Sequence, residues 1–320
     1  MLCKRMLMII LAVSMMAGCS DRQETPNKEL VFKGKIYYES SGFGGKSYID
    51  NTGTCVYTED GIKKLLRYYH NPAVTRDGQK LAAWIEDNDY GTKNTSIYIV
   101  DLVTNEVKEY PQKYRVDQFD WFKDKKKIVY IGHDSIRHSE AINNIFLYDF
   151  THNNLIPVTS NKNPKIKIFD ISLSPNGKKI VCTAMASDDK KEGRVVKIVN
   201  LETKREETLP FSSGNVAWSP NGKTIALSGI YSFEGKREFG QRIILYDVET
   251  KEYRKLDKPG GKDAYQWEKD LVYSPDGTKI AFVRIENNGR HTLWMMNADG
   301  TNRVKLLDNG QQISSLSWTE

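Results

Sequence analysis

Val216-Ala217-Trp218-Ser219-Pro220-Asn221-Gly222-Lys223-Thr224-Ile225 consists of two apolar runs held apart by a proline, an amide and a glycine. The proline presets φ near about −65° and the glycine supplies φ > 0, so the stretch predicts two antiparallel strands joined by a tight turn. The same punctuation recurs at Thr75-Arg76-Asp77-Gly78, Ser174-Pro175-Asn176-Gly177 and Ser274-Pro275-Asp276-Gly277, with a degenerate copy at Lys123-Asp124-Lys125. The last ten residues, Gln311 to Glu320, contain Leu316-Ser317-Trp318, which resembles the strand before such a turn.

A second turn keeps the same beat. Asp or Asn markers at 50, 101, 149, 200, 247 and 297 recur every 47 to 51 residues, each after an apolar run and before a Thr- or Gly-containing turn. A carboxylate or amide there can accept from the backbone two residues on. Two hairpins per repeat make four strands, and six copies of a four-stranded unit predict an all-β, six-bladed β-propeller.

The first copy is incomplete. Gly34-Lys35-Ile36-Tyr37-Tyr38 matches a turn exit and second strand, with no first strand ahead of it. Ser315-Leu316-Ser317-Trp318 supplies the missing innermost strand, so the two ends of the chain are expected to share one blade and leave no open edge. Val74, Trp121, Leu173, Trp218, Tyr273 and Trp318 occupy the core position of the six inner strands. Each follows a smaller or polar residue, a pattern read as large-against-small packing between neighbouring blades.

The repeated SPNGKKI, SPNGKTI and SPDGTKI, with MMNADGTNRVKLL, resemble the WD40-like repeats of TolB-type propellers, found also in dipeptidyl-peptidase-type enzymes and oligogalacturonate lyases. The resemblance covers 29–320 and implies the propeller fold. It implies an envelope protein or peptidoglycan-associated component as partner. The α/β domain that precedes the propeller in TolB has no counterpart between Cys19 and the first blade, and no G-x-S-x-G nucleophile elbow of the peptidase relatives is present.

Residues 1–18 read as an export signal: Lys4 and Arg5, then an apolar run from Met6 to about Ala17, too short to cross a bilayer comfortably. Met16-Ala17-Gly18-Cys19 resembles the bacterial lipobox, which implies lipidation at Cys19, a polar leash over 19–28 and a location in the bacterial cell envelope. Two acyl chains hold stably where one does not. Ser20 does not resemble the aspartate that retains lipoproteins in the inner membrane of enteric bacteria, so in a host with an outer membrane the resemblance implies that address, facing the periplasm or the cell surface, with the membrane met through the anchor only. Cys55 and Cys182 are the cysteines of the body and are expected as buried free thiols.

A net charge of +6, with Lys and Arg scattered among Asp and Glu along the chain, argues against a nucleic-acid binder. A monomer without cofactor is expected. Residues preceding each inner strand, His70 and Asn71, Asp117, Asp170, Asn215, Asp270 and Ser314, should ring the mouth of the central channel; His70, Asp117, Asp170, Asn215 and Asp270 are the candidate ligand-binding set, their carboxylates suited to a cation, an amine or a basic segment. Tyr90, Tyr231, Phe233 and Phe239, aromatic residues in the polar loops of the same face, are candidate anchors for a partner. His133 and His138 are weak metal candidates. A glycan or oligosaccharide ligand, with a cation at the mouth as in the lyases, is the alternative reading.

Overall fold

The computed structural model describes residues 34–41, 53–58, 60–67, 69–85, 96–134, 141–185, 194–230, 232–233, 236–237, 242–256 and 267–320. It is a six-bladed β-propeller of four-stranded antiparallel sheets. The residues expected to form an export signal, a lipidated Cys19 and its leash, and the Asp50 marker, lie outside the described residues.

Blade 1 combines Gln312–Thr319 as its inner strand with Lys35–Ser41, Gly53–Thr58 and Gly61–Arg67. The inner strands of blades 2 to 6 are Tyr69–Val74, Arg115–Trp121, Ile168–Leu173, Ser212–Trp218 and Trp267–Tyr273. In each, three further strands follow outward in chain order, and in blade 5 a separate two-stranded hairpin, Ser232–Phe233 with Lys236–Arg237, intervenes between the second and third. Closure across the chain ends is formed as expected, with Lys35 opposite Thr319, Ile36 opposite Trp318 and Tyr37 opposite Ser317.

Six apolar clusters hold the ring, each built by two neighbouring blades. Ile36, Tyr38 and Trp318 of blade 1 pack with Val283, Leu293 and Met295 of blade 6. On its other side blade 1 offers Tyr37 and Val56 to Val74, Leu81 and Val100 of blade 2. Alternate residues of one strand therefore serve opposite interfaces, as the two-residue period of a pleated sheet requires. The blades are stacked radially, and none has a solvated face of its own.

The first-type turns are built alike. Ser174 Oγ donates to Asn176 Oδ1 at 2.9 Å and accepts from Lys179 N at 2.9 Å, while Gly177 N donates to Ser174 O at 2.8 Å. Ser219, Ser274 and Thr75 repeat the pattern. Gly177 has φ 67°, a conformation that costs glycine little. In the second turn, Asp101, Asp149, Asn200 and Asp247 accept from the backbone two residues on. At Asn297 that role passes to Asp299, which accepts from Thr301 N at 2.9 Å.

The small residues before the core positions do more than fill space. Asp120 Oδ2 accepts from Leu173 N at 2.7 Å, Ser172 Oγ from Trp218 N at 3.1 Å and Ser317 Oγ from Val74 N at 3.0 Å. Each bond joins one inner strand to the next blade's. Neighbouring inner strands carry no sheet ladder between them, so their inward N–H groups need acceptors from elsewhere. Cys55 and Cys182 are buried thiols outside any disulfide, and burial pushes the Cys182 thiol up to about 12.

Candidate functional site

Both turn types of every blade lie at one end of the ring, and the long connections between second and third strands lie at the other. Every inner strand carries a register shift near its loop-side end, as between His70 and Ala73, Val116 and Phe119, and Lys269 and Val272. The extra residue of a bulge is left out of the ladder and re-aimed. Asn71 and Asp270 there have φ 48° and 51°, and Ser315 has 55°.

A central cavity of about 430 Å³ runs along the inner strands to the turns, and at the bulges each blade gives it one polar residue: Asn71, Gln118, Asp170, Asn215, Asp270 and Ser315. Asn71, Asp170, Asn215 and Asp270 are in the ring expected from the sequence. His70 and Asp117 sit one position away from the lining residues Asn71 and Gln118, because the bulge shifts the register that a regular strand would keep.

His70 is buried, stacked on the Trp84 indole at 4.2 Å between centroids, with Nδ1 3.0 Å from Glu39 Oε1. Asp117 accepts from Asn71 Nδ2 at 2.6 Å and faces His133 Nε2 at 3.4 Å. Glu39 also accepts from Asn71 N at 3.0 Å, and Ser315 Oγ donates to Asn71 Oδ1 at 2.6 Å. Asn71 is thus the point where blades 1, 2 and 3 are tied at the mouth.

Asp170 ties blades 3, 4 and 5. Its Oδ1 accepts from Ile171 N at 3.0 Å and from Gln118 Nε2, and its Oδ2 accepts from Val216 N at 2.8 Å. Burial pushes its carboxyl up to about 7, against the bonds from Val216 and Gln118, and the charge of Asp270 adds to the rise. Asp270 accepts from Asn215 Nδ2 at 3.4 Å and pairs with Lys269 Nζ at 3.1 Å.

Phe169 and Trp267, at the loop-side ends of blades 4 and 6, are 39% and 47% exposed, and each lies within three residues of a channel carboxylate. Arg194 covers the Phe169 ring at 4.1 Å. The sequence alternation had marked neither, since an aromatic residue at a strand start reads as core. Tyr90, Tyr231, Phe239 and His138 lie outside the described residues. Phe233 falls in a two-residue strand, Ser232–Phe233, paired with Lys236–Arg237. Among the described residues, no three His, Cys, Asp or Glu side chains are gathered as a metal set.

No family model matches the sequence, and no curated protein matches it. Solved structures share the fold. TolB from Acinetobacter baumannii aligns with a TM-score of 0.68 at 18% identity, over 89% of this chain and 66% of that one. A putative TolB from Agrobacterium tumefaciens gives 0.59 at 14% identity, over 90% of this chain and the whole of its own. An oligogalacturonate lyase in complex with manganese gives 0.54 at 13% identity, over 88% of this chain and 75% of that one.

Proposed function

We propose that this chain is a lipid-anchored propeller of the bacterial envelope that binds a partner protein or peptidoglycan-associated component through its loop-bearing face and catalyses no reaction. The observation that carries this reading is the use made of Asp170. A carboxylate at a channel mouth with a pKa pushed up to about 7 has the value a general acid or base needs. Here both its oxygens are taken by two backbone N–H groups and a glutamine that join three blades. The group holds the ring together, with three of its roughly four acceptor positions engaged by those donors. A rigid ring carrying Phe169 and Trp267 beside polar residues fits a binding surface, where exposed aromatic side chains serve as anchors. The fold shared with TolB supports the partner class.

A photo-cross-linker placed at Trp267 in cells should capture one envelope protein, and the same product should disappear when Phe169 is changed to Ala. Capture of random neighbours in both strains would sink the reading. Metabolic labelling with a fatty-acid analogue tests the anchor: incorporation should vanish in Cys19→Ser.

The second reading, a glycan ligand, has one observation in its favour. Phe169 and Trp267 flank Asp170 and Asp270 as sugar-stacking faces beside hydrogen-bonding groups. Titration with oligogalacturonate, with and without manganese, separates the two: Trp267 fluorescence should change only under this second reading.

A further inference from the structure

The turn-bearing end of the ring is electrically lopsided. On blade 3, Lys123, Lys125 and Lys126 stand in the first-type turn, and on blade 4, Lys178 stands in the first turn and Lys204 and Arg205 in the second. All are exposed except half-buried Lys125, which pairs with Asp77. The other five make no ion pair among the described residues. Asp124, Asp149 and Glu202 are the carboxylates of the turns of these two blades; Asp124 is occupied by Lys126 N at 2.9 Å, and Asp149 is held by Thr151 N at 2.8 Å and faces Lys127 Nζ at 3.9 Å.

These cations, distant in sequence, form one surface. A Cβ at Gly177 would touch the Phe122 ring at 3.0 Å, so the first turns of blades 3 and 4 are in contact. Leu201 N donates to Lys178 O at 2.9 Å and ties the two turns of blade 4 together. Blades 5 and 6 differ. There Lys251 pairs with Glu207 at 3.0 Å, Lys279 reaches Asn297 Oδ1 at 2.6 Å, and Asp247, Glu249, Asp276 and Asp299 balance the charge.

The same end receives the chain from its N-terminal side. Gly34 abuts the Thr319 carbonyl, Glu320 N donates to Arg76 O at 3.0 Å, and the neighbour of Arg76, Asp77, pairs with Lys125. Whatever precedes Gly34 therefore joins the body at the border of the basic surface. From Cys19 to Gly34 the chain can span at most about 50 Å.

We propose that the turn-bearing end of blades 3 and 4 lies against an anionic lipid headgroup layer, which leaves the loop-bearing face turned away from the membrane and open to a partner. Each basic side chain near such a surface adds about fivefold to binding, and the attraction fades within a Debye length. The surface belongs to the folded body. Lipidation at Cys19 belongs to the function proposed above, and an anchor attached at this end would deliver the surface to its target.

The test uses the full chain carrying Cys19→Ser, so that failure of the anchor and failure of the surface are read separately. Its cosedimentation with vesicles of phosphatidylcholine is compared with that on vesicles containing phosphatidylglycerol. Binding to the anionic vesicles should exceed the neutral ones at least tenfold at low salt and fall as salt rises. Lys126→Gln and Lys178→Gln should each lower it about fivefold. Lys223→Gln, on blade 5, should leave it unchanged. In the unsubstituted surface, anionic vesicles should protect Lys126 and Lys178, and not Lys223, from acetylation. Equal binding to both vesicles, equal loss from blade 5, or tighter binding to soluble polygalacturonate than to the vesicles would overturn the proposal.

Discussion

Ile36 and Trp318 are register partners in blade 1, where the second strand of the chain's first repeat lies against the last strand of the molecule. Both are buried, in the cluster that blade 1 shares with blade 6. The ring is closed by a sheet ladder and by packing at the same place, so closure and stability are one property.

Replacing Trp318 by Ala should cost about 3–5 kcal/mol, the usual loss for a buried aromatic side chain, and should loosen the seam before the rest. Urea unfolding measures the loss. Hydrogen exchange should show Lys35–Ser41 losing protection ahead of the inner strand of blade 4.

Gly34 has φ 97°, and a Cβ there would collide with the Thr319 carbonyl oxygen. Gly310 has φ 72°, with nothing within 4 Å of its Cβ position. Both positions pay for an unfavourable φ when changed to Ala, and only the first also meets backbone. Gly34→Ala should therefore lower the urea midpoint well below that of Gly310→Ala. Equal midpoints would show that the seam yields easily.

Burial pushes Asp120 up to about 6 and Asp170 up to about 7, whereas an unfolded aspartate releases its proton near 3.8. The folded chain then binds more protons than the unfolded chain between those values. Stability should fall as pH rises from about 4 to about 7 and level off above. In Asp120→Asn the slope between pH 4 and 6 should flatten, at the cost of about 1–3 kcal/mol from facing a donor at Leu173 N. Urea titrations across pH test both statements.

Glu268 is fully buried and receives Arg284 Nη2 at 2.7 Å and Arg303 Nη1 at 2.6 Å, while Arg284 also stacks on Trp294 at 4.2 Å. Removing the carboxylate in Glu268→Ala should cost about 3–5 kcal/mol, because two guanidinium groups lose their shared counter-charge. Glu268→Gln, which keeps the shape, should lose most of the same amount if charge is the cause. Thermal unfolding at matched pH distinguishes charge from packing.

The architecture was legible because it is local chemistry repeated. Ser174, Pro175, Asn176 and Gly177 make their turn from bonds within a few residues, and the same four-residue logic at Ser219 and Ser274 sets the beat of the ring. Alternation of apolar residues then marks the strands, and the missing first strand at Gly34 calls for Trp318. The candidate site was legible in kind and displaced in register. A bulge cannot be read from residue type: Asn71 was in the expected ring, whereas Asp117 and Ser314 stand one residue before the lining Gln118 and Ser315.

The sequence by itself thus determined the number of blades, their turns and the seam, since each rests on contacts short in sequence or on a repeat that must close. Only the tertiary structure decided what Asp120, Asp170 and Ser317 do, because their partners are backbone N–H groups about fifty residues away or on the far side of the seam. It also decided where the charge lies: Lys126 and Lys204 look scattered along the chain, and radial stacking brings their turns to one end of the ring.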